Sequence, residues 1–165
     1  MGCGTGASFG ALRSIVGATG QVTGIELSEE MAAVARQRIE DNEWKNVEVL
    51  VGDAATATLP SDVDGILFFE THDLMRTPAV VKRAVGAGRP GAGVVAFGPA
   101  SAPRWAIPVN AIVRSVARRY VTTFEGFEAP WSHLAVEVPG LRVHRLFLGG
   151  AYLAVGRTET TPQAR

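Results

Sequence analysis

The stretch Met1-Gly2-Cys3-Gly4-Thr5-Gly6-Ala7-Ser8-Phe9-Gly10, MGCGTGASFG, decides how the rest of the chain is read. Glycines at positions 2, 4 and 6 allow positive φ and a close backbone approach to a ligand, and the segment after them reads as a helix whose first N–H groups lack partners. The stretch also satisfies the G-x-G-x-x-A pattern of dinucleotide-binding folds, so the glycines alone do not choose a ligand.

Working outward, strand-like and helix-like segments alternate. ASFGALRSIVGATG predicts a helix closed by glycine, and QVTGIEL a short strand. Ser28 stands at an N-cap position, with Glu29 and Glu30 in the first turn of the next helix, where the macrodipole favours negative charge. Met31, Val34, Ala35 and Ile39 carry the spacing of that helix's buried face. VEVLVGD and DGILFFE read as strands, PAVVKRAVGAG as a helix with Pro78 in its first turn, and GVVAFG as a buried strand. This alternation predicts a mostly parallel sheet covered by helices, an α/β fold. LRVHRLFL and AYLAVG depart from it. Only Gly149-Gly150 separates them, which forces an antiparallel hairpin.

Composition narrows the function. At 165 residues and 47% hydrophobic content, the chain supports one sizeable core. The 16 basic and 16 acidic residues cancel, so no overall field attracts a nucleic acid, and none is expected as partner. Cys3 is the single cysteine, and without a second thiol or clustered histidines no metal site is expected. Its own reading stays open between a small loop residue and a reactive thiol. No apolar run is long enough to span a bilayer and no signal peptide precedes the loop, so the expected location is the cytoplasm. Oligomeric state is not legible.

Two acids complete the pattern. Glu26 ends the second strand-like segment, 20 residues after Gly6, where a carboxylate can accept two ribose hydroxyls. Asp53, in Gly52-Asp53-Ala54, ends the next strand. With GCGTG, IEL, VGDA and the terminal hairpin, the chain resembles the class I S-adenosylmethionine-dependent methyltransferases over nearly its whole length. That resemblance implies a Rossmann-like fold and S-adenosylmethionine as cofactor. Gly2, Cys3, Gly4 and Gly6 would face its methionine and ribose, Glu26 would bind the ribose, Leu27 and Met31 would flank the adenine, and Asp53 with Ala54 would read the adenine edge.

The resemblance also implies that the first central strand, which in this family precedes the glycine loop and ends in an acid, is absent from the chain as written. A GTG codon at the Met1 position, where the family commonly carries valine, would account for that start. The expected layout is a methyltransferase domain over 1–157, N-terminally truncated, with 99–139 as a substrate-side insert and 158–165 as a polar tail. The expected partner is a small, partly apolar acceptor. A catalytically silent nucleotide-binding module and an NAD-type oxidoreductase are the competing readings.

Candidate chemistry follows DGILFFE in Glu70, Thr71, His72 and Asp73. His72 is the candidate base because its ordinary pKa lies near neutrality, against a residue that only shapes a pocket. In the insert, Val109, Ile112, Val113, Val116 and Tyr120 predict one helix face, while Tyr120, Phe124, Phe127 and Trp131 are expected close together as a core or an acceptor wall. Arg114 and Arg118, one turn apart on another face, read as a solvated face or as a phosphate or membrane site. The short stretch from Arg114 to Arg119 carries the one hint of a nucleic-acid contact.

Overall fold

The computed structural model describes residues 1–118 and 121–159. The chain divides into two compact units, Met1–Pro60 and Ser61–Arg165, and each contains its own sheet.

In the first unit the glycine loop leads into α1 (Phe9–Val16), then β1 (Val22–Glu26), α2 (Glu29–Asp41) and β2 (Val47–Val51). β1 and β2 pair in parallel, from Val22 opposite Val47 to Glu26 opposite Val51. Parallel neighbours need a crossover, and α2 supplies it. Ser28 caps α2 as expected, its hydroxyl accepting from the Met31 N–H at 3.3 Å.

The buried face of α2 differs from the expected one. Ala32 and Ala35 are fully buried, with Ile39 packed against the same cluster, whereas Met31 and Val34 are about half exposed. Phe9 is the reason. Its ring fills the space beneath the helix, so close that a Cβ on Gly24 would lie 2.6 Å from Cζ. Only alanine-sized side chains fit there, and the helix turns its larger apolar residues outward. Burying Phe9 contributes about 1.5–3 kcal/mol to this unit. The first helix is shorter than predicted, stopping where Gly17 turns to φ +74°.

The second unit holds β3 (Val63–Phe69), α3 (His72–Met75), α4 (Pro78–Gly86), β4 (Gly88–Pro99), α5 (Ile107–Ala117), α6 (Ser132–Glu137), β5 (Arg142–Leu146) and β6 (Ala151–Arg157). Its sheet order is β3-β4-β6-β5, with β3 and β4 parallel and β6 antiparallel to both β4 and β5. Val80, Val81, Ala84 and Val85 of α4 join Ile66, Phe68, Val94 and Ala96 in the buried core.

The predicted hairpin is present, but its link is longer than two glycines. Leu146 already pairs with Ala151, so Phe147 and Leu148, read as strand, form the turn at φ +50° and +55° and stand exposed. The glycines serve close packing instead: a Cβ on Gly150 would lie 2.8 Å from Val109 of α5.

Three other expectations in this unit are corrected. On α5, Val109 and Val113 are half-buried while Ile112 and Val116 are exposed, and Tyr120 and Arg119 lie outside the described residues. Trp131 does not join Phe124 and Phe127; it packs on Tyr152 at 5.1 Å and lies under the Arg145 guanidinium at 5.0 Å. The tail begins later than position 158. Thr158 is buried, its hydroxyl accepting from Ala92 N and donating to the Arg89 carbonyl, and residues 160–165 lie outside the described residues.

Candidate functional site

The glycine loop is built around one carboxylate. Gly2, Gly4 and Gly6 all adopt positive φ, the conformation their sequence spacing demands. Glu26, at the tip of β1, accepts from Gly4 N through Oε2 at 2.7 Å and from Ser28 N through Oε1 at 3.0 Å. Charge-assisted bonds of this kind contribute about 1.5–3 kcal/mol each. Glu26 therefore ties the loop to the start of α2, a role the sequence reading missed because backbone N–H groups leave no residue signature. Each carboxylate oxygen still has a lone pair to offer.

Four backbone donors of the loop are already used. Cys3 N donates to Ile25 O, Gly6 N to Cys3 O and Phe9 N to Gly6 O, besides Gly4 N to Glu26. A pyrophosphate bound at a helix N-terminus needs such N–H groups. Here Gly4 N, in the middle of the loop, is taken by the Glu26 carboxylate, which places a negative charge against the glycines.

Cys3 packs its sulfur against β1, where a Cβ on Gly24 would approach it to 2.7 Å. Burial, and then the nearby Glu26 charge, push its thiol up to about 11, so it stays protonated near neutral pH. That removes it as a nucleophile.

The remaining cofactor candidates gather in this first unit. Leu27 is 70% exposed and Met31 45%, two apolar side chains flanking Ser28 without a core to cover them. Asp53 is exposed beyond β2, its Oδ1 accepting from Ala55 N at 2.8 Å, and Ala54 is buried beneath it. Gly52 N donates to the Glu26 carbonyl, which sets the two acid-bearing strand ends side by side. The donor set fits an adenosine. Glu26 offers acceptors for a diol, Asp53 an acceptor for an amino group, and Leu27 and Met31 offer apolar surface. A Cβ built on Gly4 meets no described atom within 4 Å, so the loop leaves open space there.

His72 belongs to the second unit, on the single turn of α3 rather than in a loop. Glu70 precedes it at φ +55°, a conformation uncommon for a non-glycine residue, and turns the chain sharply at the end of β3. His72 is 95% buried (5% exposed), its ring edge-on to Phe127 at 4.3 Å. Phe124 continues the cluster at 5.0 Å from Phe127. His72 Nε2 lies 3.1 Å from the Glu125 carbonyl oxygen. Burial is the main cause that lowers the His72 pKa from its ordinary value; the Glu125 carbonyl and the Asp73 carboxylate oppose it, and Arg76 adds to it. Asp73 accepts from the Thr122 hydroxyl at 3.1 Å, and Arg76 pairs with Glu125 at 2.5 Å.

Among the described residues, no group of three or more His, Cys, Asp or Glu side chains is placed to hold a metal ion. No helix among them is long and apolar enough to cross a membrane.

A family profile described as "Methyltransferase domain" matches residues 1–91, more than half of the 165. The chain belongs to the methyltransferase-domain family. The search of curated proteins finds no match to the chain. It is similar to a solved SAM-dependent methyltransferase from Aquifex aeolicus, at 22% identity and TM-score 0.66, covering 95% of this chain and 79% of that one. It is also similar to the N-methyltransferase NodS from Bradyrhizobium japonicum WM9, at 17% identity and TM-score 0.66, covering 96% and 83%. A SAM-dependent methyltransferase from Methanosarcina mazei gives 16% identity and TM-score 0.64, covering 97% and 91%. At these identities the likeness shows the fold: α/β, Rossmann-like, of the class I methyltransferase type. The cofactor of this class is S-adenosylmethionine, and the residues of the first unit fit it.

Proposed function

We propose that the protein transfers the methyl group of S-adenosylmethionine to a small, partly apolar acceptor. Its residues divide the work. Gly2, Gly4 and Gly6 form the bed for the methionine and ribose, with Cys3 packing beneath; Glu26 accepts the ribose hydroxyls. Leu27 and Met31 cover the adenine faces, and Asp53 with Ala54 reads the adenine edge. The cofactor, when bound, supplies an activated methyl on a cationic sulfur. The protein supplies orientation and exclusion of water. His72, neutral and buried, is the candidate base, and residues 99–139 form the substrate-side insert. We place the protein in the cytoplasm on the same reading.

The observation that carries this reading is the Glu26 carboxylate bonded to Gly4 N at 2.7 Å. It makes the loop negative where a dinucleotide enzyme needs free N–H groups. A cationic sulfonium is attracted there and a pyrophosphate is repelled, which disfavours the NAD-type alternative.

The test is incubation with methyl-labelled S-adenosylmethionine and a panel of small apolar alcohols, phenols and amines, following S-adenosylhomocysteine by mass spectrometry. Label appearing in at least one acceptor is the expected result. Tight cofactor binding with no transfer across the panel would instead support a silent binding module.

A further inference from the structure

Among the described residues, two buried side-chain atoms lack a hydrogen-bond partner, and they are neighbours in sequence: Thr71 Oγ1 and His72 Nδ1. Native proteins satisfy buried polar atoms with protein, ordered water or ligand, so an adjacent pair left open calls for an occupant. Its chemistry is set by the other side of the ring. The Glu125 carbonyl can only accept, so the 3.1 Å contact requires the proton on Nε2. Nδ1 is then a bare acceptor, and the lowered pKa keeps the ring neutral. Thr71 Oγ1 can donate and accept.

A neutral hydroxyl satisfies both atoms at once: it donates to Nδ1 and accepts from Thr71. A carboxylate has no proton to give, and an ammonium, although it could donate to both, would bring a charge into the buried site beside the Phe127 ring at a much higher desolvation cost. The surroundings favour an apolar body behind that hydroxyl, because Phe127 stands against the imidazole and Phe124 stands against Phe127. The segment over the ring is fastened by exposed polar contacts, Asp73 to Thr122 and Arg76 to Glu125. A ligand reaches the buried pair only if this segment opens.

We propose that Thr71 and His72 form the seat for the hydroxyl of an apolar alcohol or phenol, with Nδ1 placed to hold the hydroxyl proton. This rests on the methyltransferase reading and narrows its acceptor class to oxygen nucleophiles.

The test uses the full chain with ¹⁵N-labelled histidine. Phenol is the probe, and anisole, which has no O–H, is its control. The free protein should show His72 as the neutral Nε2–H tautomer. Phenol should shift the Nδ1 resonance and anisole should not. Thr71→Val should weaken the phenol response by roughly 2- to 10-fold, as loss of one hydrogen bond predicts. His72→Gln keeps a donor toward Glu125 while removing the Nδ1 acceptor, so it should stay folded and lose phenol binding in calorimetry. A proton on Nδ1 in the free protein, an equal response to phenol and anisole, or no response to either overturns the proposal. The last outcome would mean that a resident water satisfies the pair. Titration with S-adenosylhomocysteine, run in parallel, separates the two claims. Binding of that nucleoside without a phenol response sinks the hydroxyl seat alone. A phenol response without nucleoside binding sinks the methyltransferase reading alone.

Discussion

The loop around Glu26 and the turn around His72 manage polarity in opposite ways. In the first unit a half-buried acid takes backbone donors on both its oxygens and fixes a glycine loop before any ligand arrives. In the second, a buried imidazole has one nitrogen engaged and the other, with the neighbouring Thr71 hydroxyl, left open. The first arrangement suits a site that must be rigid for a constant ligand. The second suits a site whose last polar contacts come from the ligand itself. The contrast teaches that unmet hydrogen-bonding capacity, more than the presence of charge, marks where an acceptor enters.

The contrast breaks most visibly at Glu26. Glu26→Ala removes the acceptor for Gly4 N and Ser28 N and the proposed ribose contact together. With each charge-assisted bond contributing about 1.5–3 kcal/mol, S-adenosylhomocysteine affinity should fall about 100-fold or more in calorimetry. The glycines sharpen the same point. Gly6→Ala drives a Cβ to within 2.6 Å of the Phe9 ring at φ +71°, and should lower unfolding free energy by about 2–4 kcal/mol in denaturant titration. Gly4→Ala meets open space, so its cost is the positive φ alone, about 1–2 kcal/mol. Its larger effect should be on nucleoside affinity, because the added methyl occupies the space the ligand needs.

Much of the first unit was legible in the sequence for a physical reason. Glycines 2, 4 and 6 require positive φ and Ser28 requires a helix start; each is a local constraint that one residue type expresses. What was missed depends on neighbours far along the chain. Met31 and Val34 fit the helical period, yet Phe9 reserves the space under α2 for Ala32 and Ala35. Phe147 and Leu148 look like strand, yet the ladder ends at Leu146 because the glycines are taken up in packing against α5. Trp131 is drawn away from Phe124 by Arg145 and Tyr152. In the candidate site, the residue types were readable while the hydrogen-bond assignments were not. Nothing in the letters says that Glu26 binds backbone at both oxygens, or that Thr71 matters as well as His72.

Smaller effects probe the second region. Burial lowers the His72 pKa below the 6.5 of an unfolded histidine, so unfolding takes up a proton in the interval between the two. Stability should therefore hold above pH 6.5 and decline as pH falls below it. His72→Gln should flatten that part of the curve, with Asp73, Arg76 and Glu125 around it unchanged. Smallest of all, Glu125→Ala removes an ion pair whose acid is 78% exposed. Denaturant titration should register a loss of no more than about 1 kcal/mol, because solvent screens such pairs.

In the proposed function an anionic glycine loop, fastened by Glu26, selects a sulfonium nucleoside over a diphosphate one. Calorimetry of the wild-type chain with S-adenosylmethionine and with NAD, under identical salt, tests it most directly. Saturable binding of S-adenosylmethionine with none of NAD is the predicted result; NAD binding as tightly, or tighter, contradicts it.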